Sequence, residues 1–267
     1  MGSRTKIEWC DATWNPVTGC LHGCKYCYAR RMAERFDGKM YERNPLRNVT
    51  NHHLTEPAKK GNLTAAGKLT EKVVPYPYGF EPTLHKYRLD IPQRWPKHKV
   101  IFVCSMADLF GEWVPDRWIE EVFEACRKAP QHTYLFLTKN PDRLCDLANN
   151  KKLPTDKNFW YGSTLDSKNA RRYPGRFRDH TFLSIEPLQE YMDVGLGSFG
   201  SAEWIIIGAE TGSRKEKIIP EKAWIDNICE AASITQAAVF MKDSLIPIVG
   251  EENMRREFPW DMPWYRE

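Results

Sequence analysis

From residue 100 onward, short and uniformly apolar runs alternate with polar turns and with segments of helical period. Residues 100–104 predict a buried strand, followed by the turn-rich SMADLFGEWVPD and a helix over 117–128. Strands are then expected at 133–137, 158–162, 181–184, 204–207 and 237–241. Helices fit 142–149 and 221–232, and a weaker one fits 167–173. Upstream, a short strand is expected over 13–18, and a helix over 26–36 places Ala29, Met32, Ala33 and Phe36 on one face, with Gly38 as its terminator. Between them and the regular series lies 37–98, rich in Pro, Lys, His and Tyr. Its prolines at 75, 77, 82, 92 and 96 argue for an irregular insertion that could act as a lid.

Strand, polar turn and helix in repetition imply right-handed βα units on a parallel sheet. The expected fold is α/β, a partial (β/α)6 TIM-like barrel of parallel strands with a long irregular insertion after the first helix. An open doubly wound sheet is the rival, but no GxGxxG opens the series. Polar residues recur just after the strands: Ser105 and Asp108, Lys139, Ser163 and Asp166, Glu186, Glu210, and Lys242 with Asp243. In a barrel these line the active-site end; the alternative is ordinary loop polarity and helix capping. The expected organisation is one domain over 1–267, with an insertion at 37–98, the main run at 99–245 and a tail at 246–267.

Charge adds an asymmetry. Residues 1–100 carry 18 Lys/Arg against 9 Asp/Glu, while 101–267 carry 21 against 26. A basic first part suits an anionic partner such as nucleic acid; segregated surface charge is the alternative. No run approaches the roughly 20 apolar residues of a membrane span. No apolar core of a secretory signal opens the chain, so a reducing cytoplasm is the expected location.

Eight cysteines are present, and three of them crowd into Cys20-Leu-His-Gly-Cys24-Lys-Tyr-Cys27. Three thiolates can hold three irons of a four-iron cluster and leave the fourth iron open, as a catalytic site needs. A zinc site using these cysteines with His22 or Cys10 is the competing reading, and free structural thiols a third.

The C-x3-C-x2-C spacing, with Tyr26 before the third cysteine, resembles the signature of the radical S-adenosylmethionine (SAM) superfamily. Within it, the chain resembles a phage-associated group of domains of unknown function. The matching stretches are TKIEWCDATWNPVTGC at 5–20, CYARRMAERF at 27–36, VIFVCSMADLFGEWVPD at 100–116, APQHTYLFLTKNPDRL at 129–144, LSIEPL at 183–188 and WIIIGAETGSR at 204–214. That group often has a longer gap between its first two cysteines; the gap here is the superfamily's usual three.

The resemblance implies a [4Fe–4S] cluster on Cys20, Cys24 and Cys27, with SAM on the open iron. It also implies an electron donor such as flavodoxin or ferredoxin, and a 5′-deoxyadenosyl radical that abstracts hydrogen from substrate. Many members have a Gly-Gly-Glu stretch after the second strand; Ser105 and Asp108 stand there instead and could accept from the methionyl amine. Lys139 could pair with the carboxylate, Ser163 with ribose or carboxylate, and Glu186 and Glu210 with hydroxyls. Tyr26 belongs to the cofactor loop. Cys104 could give a hydrogen atom to a product radical, as a thiol does in some lesion-repair members, or could be buried packing. A nucleobase, free or in nucleic acid, is the preferred substrate class, for modification or repair. The alternative is a non-catalytic, metal-stapled protein that binds nucleic acid or a partner.

Overall fold

The structure, a computed structural model, describes residues 5–36, 52–63, 69–194 and 199–259. The chain divides into two compact units, one mainly 12–132 and the other 4–11 with 133–267.

The first unit opens with β1 (Ala12–Trp14) and β2 (Val17–Thr18), where a single strand over 13–18 was expected. Asn15-Pro16 breaks it, since Pro lacks the ladder donor. Helix α1 (Tyr28–Arg35) follows the cysteine loop, shorter than 26–36 because Cys27 is its N-cap. The expected terminator Gly38 lies outside the described residues. The 37–98 segment is more regular than its prolines suggest. It holds β3 (His52–Leu54), β4 (Lys59–Leu63), β5 (Leu69–Val73) and β6 (Thr83–His85). Strands β4 and β5 form an antiparallel hairpin, while β6 lies between β2 and β3. The prolines fall between strands, where they cost nothing. Strand β7 (Val100–Val103) is buried throughout and pairs in parallel with β1, Trp14 opposite Val103. Helix α2 (Asp116–Arg127) buries Trp118, Ile119, Val122, Phe123 and Cys126, one stripe at helical spacing.

The second unit contains β8 (Thr133–Thr138), α3 (Pro141–Asn149), β9 (Phe159–Thr164), β10 (His180–Ile185), β11 (Trp204–Ile207), α4 (Lys222–Thr235), β12 (Ala238–Met241) and the short α5 (Ile246–Val249). Strands β8 to β12 pair in parallel in chain order. Their buried runs, Trp-Ile-Ile-Ile in β11 above all, carry the pattern of strands covered on both faces. The weak helix expected near 167–173 is absent. Tyr173 precedes Pro174, which disfavours helical backbone at that position, and its amide donates to Ser163 Oγ at 2.8 Å. The tail begins with structure: the Glu257 amide donates to the Val239 carbonyl and the Met241 amide to that of Arg255.

The main sheet runs β1-β7-β8-β9-β10-β11-β12, seven parallel strands curled as a half-barrel, the partial TIM-like architecture expected with one strand more than six.

Candidate metal centre

The cysteine loop leaves β2 and enters α1, and two features fix its start. Gly19 sits at φ +89°, and its amide donates to the Met106 carbonyl at 2.9 Å. A Cβ there would lie 2.3 Å from the Glu81 carbonyl oxygen, so only glycine lets the chain pass that close. The Cys20 amide then donates to the Phe80 carbonyl. Gly23, at φ +70°, turns the loop. The Cys27 amide closes the second turn on the Cys24 carbonyl at 3.2 Å, with Tyr26 half-buried between them. Cys27 Sγ accepts from the Arg30 amide at 3.3 Å, so the third thiol caps α1 at the end where the helix favours negative charge.

All three cysteines are half-buried free thiols. Cys20 and Cys27 pack against Ala29, Ala33, Phe80 and Met106. Burial pushes the Cys20 thiol up to about 12, and the charges of Asp108, Cys27 and Cys24 add to it, against a backbone hydrogen bond at His22. Metal binding there must displace a proton. Among the described residues, no group of three or more His, Cys, Asp or Glu gathers as a site for one metal ion. A zinc ion needs its ligands round one point. A four-iron cluster takes each thiolate on a different iron, so three spread thiols on a preformed loop fit the cluster better than zinc.

The turn after β7 packs on this loop. Asn15 Oδ1 accepts from Ser105 Oγ at 3.2 Å and from the Met106 amide at 2.9 Å, and the Tyr28 hydroxyl donates to the Ser105 carbonyl at 2.7 Å. Asp108 is buried. Its Oδ1 accepts from the Phe110 amide, and its Oδ2 lies 2.7 Å from His22 Nε2. His22 in turn stands edge-on to Trp113, with ring centroids 4.8 Å apart. Cys104 begins the turn at φ 60°, rare for a side-chain-bearing residue, with its amide donating to the Trp14 carbonyl. Complete burial pushes its thiol up to about 12. Thus Cys104, Ser105 and Asp108 share one neighbourhood with the cysteines. The roles of Asn15 and of the His22–Asp108 pair were not legible in advance, because single Asn and His residues carry no spacing signal.

In the second unit the expected residues sit at or just beyond strand ends, each with partners. Lys139 Nζ lies 2.5 Å from Asp166 Oδ2. Ser163 is buried, with its Oγ accepting from the Tyr173 amide. Glu186 accepts from Trp9 Nε1 at 3.1 Å and from Lys242 Nζ at 2.6 Å. Burial pulls the Lys242 ammonium down, but the charge and hydrogen bond of Glu186 outweigh it and raise the pKa. Glu210 is clasped by Arg214 through two hydrogen bonds of 2.7 and 2.6 Å. Trp9 and Lys242 as partners of Glu186 come from distant parts of the chain, so no local motif announces them.

No helix of the described residues is long and apolar enough to cross a membrane. No curated protein matches the chain. Among solved structures, a spore photoproduct lyase variant with bound AdoMet and dinucleoside spore photoproduct matches with TM-score 0.50 and 8% identity, over 90% of this chain and 78% of that one. Another spore photoproduct lyase structure, complexed with dinucleoside spore photoproduct, gives TM-score 0.42 and 10% identity over 87% of this chain. The chain spans 64% of the length of that second structure. The likeness is one of fold. The model of the family described as "Protein of unknown function (DUF5131)" matches residues 4–244, and the chain belongs to that family.

Proposed function

We propose that this chain is a radical SAM enzyme, with Cys20, Cys24 and Cys27 holding a [4Fe–4S] cluster. The carrying observation is the preformed three-thiol loop, pinned by Gly19 and capping α1, on a half-barrel of parallel strands. The fold likeness to a structure that holds AdoMet supports the same reading. When bound, the cluster and SAM supply a one-electron cleavage that yields a 5′-deoxyadenosyl radical able to take hydrogen from a substrate.

The chain's own residues prepare for that chemistry. The loop offers three thiols and no fourth cysteine within it, which leaves one coordination position for a ligand. Tyr26 and Ser105 are the proposed neighbours of the cofactor, and Asp108 offers the acceptor charge nearest the loop. Lys139, Ser163, Glu186 and Glu210 are proposed for polar contacts to SAM or substrate. Cys104 is held protonated by burial, so it keeps an S–H bond through neutral pH. In this reading it gives a hydrogen atom to the product radical and retains the unpaired electron on sulfur.

The proposed substrate class is a nucleobase, free or within nucleic acid. Its supports are the basic first hundred residues, the resemblance to a phage-associated group, and the dinucleoside ligand of the matching structures. The test is anaerobic reconstitution, a count of iron and sulfide, and mass spectrometry for 5′-deoxyadenosine after dithionite and SAM. Four irons with deoxyadenosine formation are expected. Zinc, or a cluster that leaves SAM intact, would overturn the reading in favour of a metal-stapled binding protein.

A further inference from the structure

The outer face of the cysteine loop and α1 is unusual in composition. Leu21 is 44% exposed, Tyr28 48%, Met32 42% and Phe36 52%. Lys25, Arg31 and Arg35 are exposed among them, and Glu34 is the exposed acid of the helix. The opposite face is spent inward. Ala29 and Ala33 are buried, and the Arg30 guanidinium lies 5.1 Å over the Phe80 ring and donates to the Cys20 carbonyl. Outer-face side chains are therefore free of the packing that holds α1 in place.

We infer that this face docks an acidic one-electron carrier protein, which delivers the electron to the cluster; the inference rests on the cluster reading proposed above. Three observations converge. Leu21 and Tyr28 directly adjoin Cys20 and Cys27 in the chain, so a protein seated here lies over the thiols, which are themselves only half-buried. Tyr, Phe, Met and Arg are the residues that protein interfaces favour, and Tyr28, Phe36, Met32, Arg31 and Arg35 all lie on this one short element or its end. The excess of Lys25, Arg31 and Arg35 over Glu34 complements an acidic surface and steers its approach. A nucleic-acid backbone would meet the same basic charge but offers little against which Leu21, Met32 and Phe36 can be buried.

The test separates electron delivery from the chemistry that follows it. Deoxyadenosine formation is measured with dithionite, a small reductant that needs no docking, and with enzymatically reduced flavodoxin, an acidic carrier, at varied concentration. The double variant Arg31→Glu/Arg35→Glu is expected to raise the apparent KM for flavodoxin about tenfold, with the dithionite rate unchanged. Glu34→Lys is expected to lower that KM, a gain that misfolding cannot mimic. Added salt should weaken the flavodoxin-supported reaction and spare the other. An unchanged KM in both variants overturns the docking surface. So does a loss of nucleic-acid binding in the double variant with flavodoxin reduction intact. If the unaltered chain makes no deoxyadenosine even with dithionite, the cluster reading fails and the docking surface falls with it.

Discussion

His22 Nε2 sits 2.7 Å from Asp108 Oδ2, so the middle of the cysteine loop is tied to the turn that leaves β7. The pair spans 86 positions of the chain and is largely shielded from water, with the His22 side chain 22% and the Asp108 side chain 8% exposed. Replacing His22 by Ala leaves a buried carboxylate short of one partner, a loss of about 1–3 kcal/mol. The expected outcome is a modest drop in thermal stability with a larger drop in iron bound per chain. Equal iron occupancy in His22→Ala and the unaltered protein would remove the pair from the architecture of the loop.

Replacing Cys24 by Ala is expected to abolish a four-iron cluster while leaving the far-ultraviolet circular dichroism of the apo-protein unchanged. The loop's path is held by Gly19, by the Cys20 and Cys27 amides and by the cap on α1, none of which uses the Cys24 thiol. Global unfolding of Cys24→Ala would mark the metal as structural.

Gly19→Ala should be far more damaging than its size suggests. The added Cβ meets backbone at 2.3 Å, with φ at +89°. A clash with immovable atoms and a strained dihedral together cost about 2–4 kcal/mol. Urea unfolding should show a lower midpoint with an unchanged slope.

The buried thiol of Cys104, pushed up to about 12, should resist alkylation in the native protein at pH 8 and react on unfolding. If Cys104 supplies the hydrogen atom, Cys104→Ala keeps deoxyadenosine formation but changes the product distribution once a substrate is in hand. An unaltered product profile would reduce Cys104 to packing.

His85 is fully buried, with Thr18 Oγ1 at 2.8 Å from its Nε2. Burial, with the nearby Arg88 charge, lowers its pKa from 6.5 to about 2. The neutral ring is the folded form, so above pH 6.5 the full stability is present. As pH falls below 6.5 the unfolded chain takes up the proton first, and stability declines toward the folded pKa at up to about 1.4 kcal/mol per pH unit. Melting temperatures measured from pH 7 to pH 4 should fall more steeply for the unaltered protein than for His85→Gln.

Some of this was legible in the chain because the signals are local. The strand at Trp204–Ile207 was expected with the bounds it has, since four consecutive large apolar residues suit nothing else in that context. The spacing of Cys20, Cys24 and Cys27 is likewise a property of eight neighbouring residues. Boundaries were less legible where a side chain changes role: Cys27 reads as helical by periodicity, yet its sulfur caps the helix and delays it to Tyr28. The proline-rich 37–98 segment reads as irregular, because proline reports on its own position and not on the strands between prolines.

The sequence by itself determined the parallel α/β architecture, the three-thiol loop and the polar residues after the strands. Periodicity and spacing are written in neighbouring residues. Only the tertiary structure decided what those residues hold. It assigned Asp108 to His22, Glu186 to Trp9 and Lys242, and Ser163 to the Tyr173 amide. It also revealed why position 19 has to be glycine, through the approach of the Glu81 carbonyl. Such pairings join residues from 10 to 177 positions apart. They arise from packing geometry, which one chain's order of side chains does not spell out.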